Sequence, residues 1–97
     1  MATILVIDDD AAVRDTMRRI LQRGGHRIEL AENGRDGLHQ FREGRFDLVI
    51  TDLYMPEKEG IETIMELRGE QPDLRILAVS GGLLGDTSGP LIDAELF

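Results

Sequence analysis

Short apolar runs alternate along this chain with stretches whose hydrophobic positions recur at helical spacing. Ile4-Leu5-Val6-Ile7 is continuous and mostly β-branched, and it stops abruptly at Asp8-Asp9-Asp10. A strand apolar on both faces belongs inside a parallel sheet covered by helices. From Asp10 the period changes to that of a helix, with Val13, Met17, Ile20 and Leu21 on one face and Arg14, Asp15, Arg18 and Arg19 elsewhere. Asp10 suits the N-cap, and Gly24-Gly25 stops the helix. Arg27-Ile28-Glu29-Leu30 alternates, which predicts a strand nearer the sheet edge. Asn33 caps a second helix whose apolar face is Leu38 and Phe41; Gly34 and Gly37 weaken it and Gly44 ends it. Phe46 to Thr51 reads as a buried strand that runs into another acid, Asp52. A third helix is expected from about Glu59, with Ile61, Ile64, Met65 and Leu67 facing inward and Pro72 beyond its end. Leu74 to Val79 is the fourth strand, followed by Ser80-Gly81-Gly82. In the tail, Pro90 is placed to open a short helix through Phe97.

Strands alternating with helices argue an α/β fold with a doubly wound parallel sheet. Ninety-seven residues, 41% hydrophobic and 31% charged, make one small globular domain rather than a disordered chain. The absence of cysteine excludes a disulfide framework and a thiolate zinc site. No apolar run approaches the roughly 18 residues of a membrane span, and no secretory pattern opens the chain, so the cytoplasm is expected. A net charge of −8 repels nucleic-acid backbones and anionic lipid, so neither is an expected partner. Lys58 is the only lysine beside ten arginines.

In doubly wound sheets ligands gather beyond the carboxyl ends of the strands. Here those ends carry Asp8, Asp9, Asp52 and Ser80. Crowded carboxylates either share protons or hold a cation, and an oxygen-only set suits Mg2+. One carboxylate could then attack a phosphoryl group and form an aspartyl phosphate, with the Ser80 hydroxyl bonding its oxygens. Asp10 is assigned to helix capping alone. His26 and His39 read as surface or loop residues, and Met17 and Met65 as core filler. Composition and spacing reach an acidic metal or phosphate site on an α/β sheet, and stop there.

Ile4-Leu5-Val6-Ile7-Asp8-Asp9-Asp10, the stretch from Asp47 through Asp52 and Met55-Pro56 to Gly60, and a strand ending in Ser80-Gly81 together resemble the receiver domain of two-component response regulators. The resemblance implies a flavodoxin-like sheet of order 2-1-3-4. It implies that Asp52 is the phosphoacceptor, that Asp9 is the principal Mg2+ carboxylate and Asp8 the second, that the backbone carbonyl of Tyr54 is a further metal ligand, and that Ser80 is the switch hydroxyl. The implied donor is a sensor histidine kinase or phosphotransfer protein, and the implied role is signalling rather than enzymatic.

Receivers of this kind continue through a fifth strand that ends in a lysine, and Lys58 does not match that position. The chain is therefore read as a single receiver, residues 1–97, lacking strand 5, helix 5 and that lysine. The alternative is a degenerate or truncated receiver serving as an interaction module without phosphorylation. A haloacid-dehalogenase-like phosphatase is a more distant one: Asp8-Asp9-Asp10 holds its Asp-x-Asp, but the Met-Pro stretch is left unexplained. Without strand 5, the run Leu74 to Val79 becomes a bare edge. A homodimer through that edge or an exchanged tail is expected.

Overall fold

The structure, a computed structural model, describes residues 1–52, 60–79 and 91–93. Thr3–Ile7 forms β1, buried from Ile4 onward because it has a neighbour on each side. It pairs in parallel with β2, Arg27–Ala31, and with β3, Leu48–Asp52. Beyond β3 lies β4, Arg75–Val79, also parallel, so the four strands run in the order β2-β1-β3-β4 that the receiver resemblance implies. The alternating strand β2 occupies the edge, where one face can be wet.

Two apolar layers result from the strand alternation. On one face, Ile4, Val6, Ile28, Ile50 and Val79 receive Met17 and Leu21 from α1, Ala11–Arg23. On the other, Leu5, Ile7, Val49 and Ile76 pack with Leu38 and Phe41 of α2, Gly34–Glu43, and with Ile64 and Leu67 of α3, Gly60–Glu70. Each such side chain taken out of water contributes roughly 1.5–3 kcal/mol. Among the described residues no helix is long and apolar enough to cross a membrane.

Helix ends follow the expected chemistry. Asp10 caps α1, its carboxylate accepting the amides of Ala12 and Val13 at 2.9 and 3.3 Å. Asn33 caps α2 by accepting the Asp36 amide at 2.8 Å. Gly25, just past α1, has φ +85°, a left-handed conformation that suits glycine alone.

Three apolar residues expected to face inward do not. Ile20, Ile61 and Met65 are 55%, 45% and 65% exposed, so Met65 is not core filler. In α3 the inward stripe is Gly60, Thr63, Ile64 and Leu67. At about 100° per residue, Ile61 and Met65 lie off the edge of that stripe. Leu67 lies near the centre of that stripe with Gly60, and Thr63 and Ile64 lie on its two sides. In α1 the same rotation leaves Met17 and Leu21 against the sheet and turns Ile20 out.

The tail also departs from expectation. Where a short helix is predicted from Pro90, Leu91–Asp93 is a strand, β5, antiparallel to β4 with Ala78 opposite Ile92. Strand pairing supplies partners to backbone groups that the β4 edge would otherwise leave open. The bare edge predicted to drive a homodimer is therefore occupied along Leu77 to Val79.

Candidate functional site

The chemistry gathers where β1 and β3 end side by side. This is the point at which the chain reverses its direction of travel across the sheet, the usual place for a ligand in doubly wound folds. The amide of Asp8 donates to the carbonyl of Ala31 at 3.0 Å, holding Asp8 in line with β1. Its carboxylate Oδ1 then accepts the amide of Asp10 at 2.9 Å, which turns the chain toward α1. The carbonyl of Asp8 accepts Nη1 of Arg14 at 2.6 Å, from the first turn of that helix.

Three consecutive acids thus have three situations. Asp8 is buried, with 4% exposure; Asp9 is exposed; Asp10 is exposed and spent on capping. Asp52, half-buried, stands at the end of β3 opposite Val79 of β4. One carboxylate oxygen each from Asp8, Asp9 and Asp52 lies within 4.8 Å of the others. Burial pushes the Asp8 carboxyl up to about 6; the bond from Asp10 pulls it down, and the charges of Asp52, Asp9 and Asp10 push it further up. The charges that raise the Asp8 carboxyl are all acids. Such a cluster gains most from a cation with a preference for hard oxygen donors.

Residues 4–87 match the response regulator receiver domain family. The chain belongs to that family. The receiver is 43% identical over 77 residues to the response regulator MprA of Mycolicibacterium vanbaalenii, an overlap of 79% of this chain and 33% of that protein. It thus spans about a third of the length of the curated relatives it matches. The response regulator TrrA of Thermotoga maritima, solved in complex with Mg2+ and BeF, superposes with a TM-score of 0.80 at 39% identity, covering 82% of this chain and 70% of that one. The same regulator in complex with the histidine kinase ThkA superposes at 0.79 and 37% identity, covering 91% and 78%. Receiver domains of response regulators are signalling domains, and Asp8-Asp9-Asp10 belongs to a receiver rather than to the haloacid-dehalogenase-like family.

Of the site residues expected from sequence, the receiver brings Asp8, Asp9 and Asp52 together. Tyr54 and Ser80, together with Lys58 and Gly81-Gly82, lie outside the described residues. His26 and His39, read from the sequence as surface or loop residues, are not part of the acid group. The Nδ1 of His26 accepts the Ala2 amide at 3.0 Å, and Nε2 of His39 meets Glu43 at 2.6 Å on the surface of α2. The residue that sequence reasoning missed is Arg14, placed there on the polar side of α1. Its signal was position: a long cation one turn into a helix that starts directly after the acids. A cleft of about 550 Å3 between Phe41, Arg45, Phe46 and Glu70 lies at the opposite end of the sheet, where β3 begins.

Proposed function

We propose that this receiver accepts a phosphoryl group on Asp52 from the phosphohistidine of a sensor histidine kinase or phosphotransfer protein, in the cytoplasm, with Mg2+ held beside the acceptor. The observation that carries the reading is the convergence of Asp8, Asp9 and Asp52 oxygens within 4.8 Å at the ends of adjacent strands. The donor set fits the ion. Three carboxylates offer only hard oxygen ligands, and Asp8 resists ionisation where it is buried among other acids. The Mg2+-bound state of TrrA and the kinase complex of that protein support the same reading.

Asp9 and Asp52 would hold the ion directly and Asp8 would act beside them, with the Tyr54 carbonyl as a further ligand. When bound, Mg2+ supplies the positive charge that lets phosphoryl oxygens approach three acids. Asp52 does the covalent work. One of its carboxylate oxygens bonds to phosphorus as the bond from phosphorus to the donor's imidazole nitrogen breaks, and the bonding pair returns to that nitrogen. In-line transfer of this kind asks the protein for positioning and charge balance more than for further covalent chemistry. Asp52 is suited to it by standing at a strand end, half-buried, paired with Val79 of β4 and following Thr51, which is paired with Ile7 of β1. Ser80, the next residue after β4, is assigned to bond the phosphoryl oxygens and report its arrival.

Incubation with acetyl phosphate and Mg2+, followed by intact mass, tests the assignment. A single phosphate adduct that disappears in Asp52→Asn is expected. An adduct unchanged in that variant removes Asp52 from the role. No adduct in a folded chain that still binds Mg2+ would favour the interaction module without phosphorylation.

A further inference from the structure

We propose that Arg14 is a positioning residue of the acidic site: through the carbonyl of Asp8 it fixes the peptide that carries Asp9. The inference rests on the Mg2+ reading given above. The register between β1 and β2 ends at Ile7 and Ala31, and the amide of Asp8 makes one bond more, to the Ala31 carbonyl. Beyond that point the sheet no longer dictates the backbone. What holds it is a local set of bonds. Nη1 of Arg14 donates to the Asp8 carbonyl at 2.6 Å, and the Asp10 amide donates to Asp8 Oδ1 at 2.9 Å.

These two bonds bracket Asp9. The peptide before it is held by its carbonyl and the peptide after it by its amide. Asp9 is exposed, and its carboxylate has no burial to orient it. Its direction therefore depends on the two peptides, and the first of these depends on Arg14. The half-buried side chain of Arg14 gives the bond a fixed origin. The next arginines of α1 are occupied elsewhere: Arg18 and Arg19 both pair with Asp15.

Positioning and simple charge predict opposite signs. If Arg14 mattered only as a nearby positive charge, its removal would leave a more negative pocket and tighter Mg2+ binding. If it positions Asp9, removal weakens binding although the pocket becomes more negative. Groups that orient metal ligands typically matter by roughly 10–100-fold in affinity, and the lower end is expected here.

The test is Mg2+ titration of the 97-residue chain by amide NMR for the parent, Arg14→Ala and Arg14→Lys, with amide exchange measured in the ion-free proteins. Binding weakened roughly 10-fold in Arg14→Ala and largely restored in Arg14→Lys supports the proposal. Equal or tighter binding in Arg14→Ala overturns it. A parent that shows no site-localised response to Mg2+ overturns the metal reading itself, and Arg14 is then judged on the ion-free exchange. Faster exchange at Asp10 in Arg14→Ala, with the core of α1 unchanged, supports positioning; unaltered protection at Asp10 overturns it. If Arg14→Ala does not fold, a scalar coupling across the hydrogen bond from Arg14 Nη1 to the Asp8 carbonyl carbon in the parent decides the matter, and its absence overturns the proposal.

Discussion

Gly37 lies so close to Ile7 that a Cβ at residue 37 would stand 2.4 Å from Ile7 Cδ1 and 2.8 Å from Cγ1. Ile7 is 1% exposed and immediately precedes Asp8, so α2 presses on the last residue of β1 before the site begins. In an exposed helix, Gly→Ala would stabilise by roughly 1 kcal/mol. Here Ile7 has no room to turn away. Gly37→Ala is expected to destabilise the receiver by about 1–3 kcal/mol, the usual cost of overpacking. Urea unfolding measures it, and a variant as stable as the parent would show that α2 can lift off without cost.

The Asp8 carboxyl makes ion-free stability depend on pH in a defined direction. Its value in the folded protein is about 6, against 3.8 as the ordinary value. The folded state therefore binds this proton more tightly than the unfolded state. The contribution is complete below about pH 4 and is lost as pH rises through about 6, an effect of up to about 3 kcal/mol. Asp8→Asn removes the penalty, so at pH 7.5 the ion-free variant should be more stable than the parent by about 1–3 kcal/mol. At pH 4 the two should converge. Urea melts at both values check this. A variant less stable than the parent at pH 7.5 would mean that the carboxylate's bond from Asp10 outweighs its burial.

The strand ends were legible in the sequence because burial and charge meet there without ambiguity. Ile4 to Ile7 is apolar on both faces and Asp8 is not, so the end of β1 and the first acid are one observation. The same holds for Ile50, Thr51 and Asp52. Helix faces were less legible. Ile61 and Met65 look like core residues on hydrophobicity alone, but the face of α3 that meets the core is the one carrying Gly60, Thr63, Ile64 and Leu67, which turns them outward. Gly37 read as a weakness in α2, yet its missing side chain is what admits Ile7. The tail misled because proline opens helices and strands alike, and what selects a strand at Leu91–Asp93 is the edge of β4, residues distant in sequence. Arg14 was hidden for a related reason: its polar partner is a backbone carbonyl, which leaves no mark on the residue pattern.

Asp52 and Asp8 should be coupled in titration as well as in metal binding. Asp52 is the foremost of the charges that raise the Asp8 carboxyl, so Asp52→Asn should bring Asp8 down from about 6 toward its ordinary value. Carboxyl carbon shifts followed from pH 3 to pH 8 in the ion-free proteins give the comparison, these pH limits being a rough bracket of both states. The same variant should lose Mg2+ affinity by roughly 10-fold or more, since one of three hard ligands is gone. Asp10→Asn should leave Mg2+ affinity nearly unchanged, because asparagine keeps the cap and Asp10 holds no place in the cluster, and should lower the Asp8 carboxyl less than Asp52→Asn does, its charge being the weakest of the three acting on Asp8. An unmoved Asp8 titration in Asp52→Asn would mean that the two carboxylates stand further apart in solution than one ion can bridge.

Strand β5 should decide whether this chain stays monomeric. Its three residues pair along Leu77, Ala78 and Val79, the part of β4 that is apolar and carries no charged side chain. Arg75, at the start of β4, is the only charge on that strand. A chain ending at Gly89 would leave those backbone groups open on a strand with the composition of a sheet interior. Such an edge is a template for another strand, and Ile76 to Val79 holds no proline to block it. The shortened chain is therefore expected to associate as its concentration rises, while the 97-residue chain remains monomeric over the same range. Sedimentation velocity across a dilution series reads this directly. A small loss of thermal stability should accompany the change, on the order of 1–3 kcal/mol for one short strand out of a total near 5–15 kcal/mol. If both chains sediment as monomers with the same melt, β5 contributes no protection. If both associate, the pairing seen at Ala78 and Ile92 does not close the edge, and the homodimer expected from the sequence through β4 is the better description.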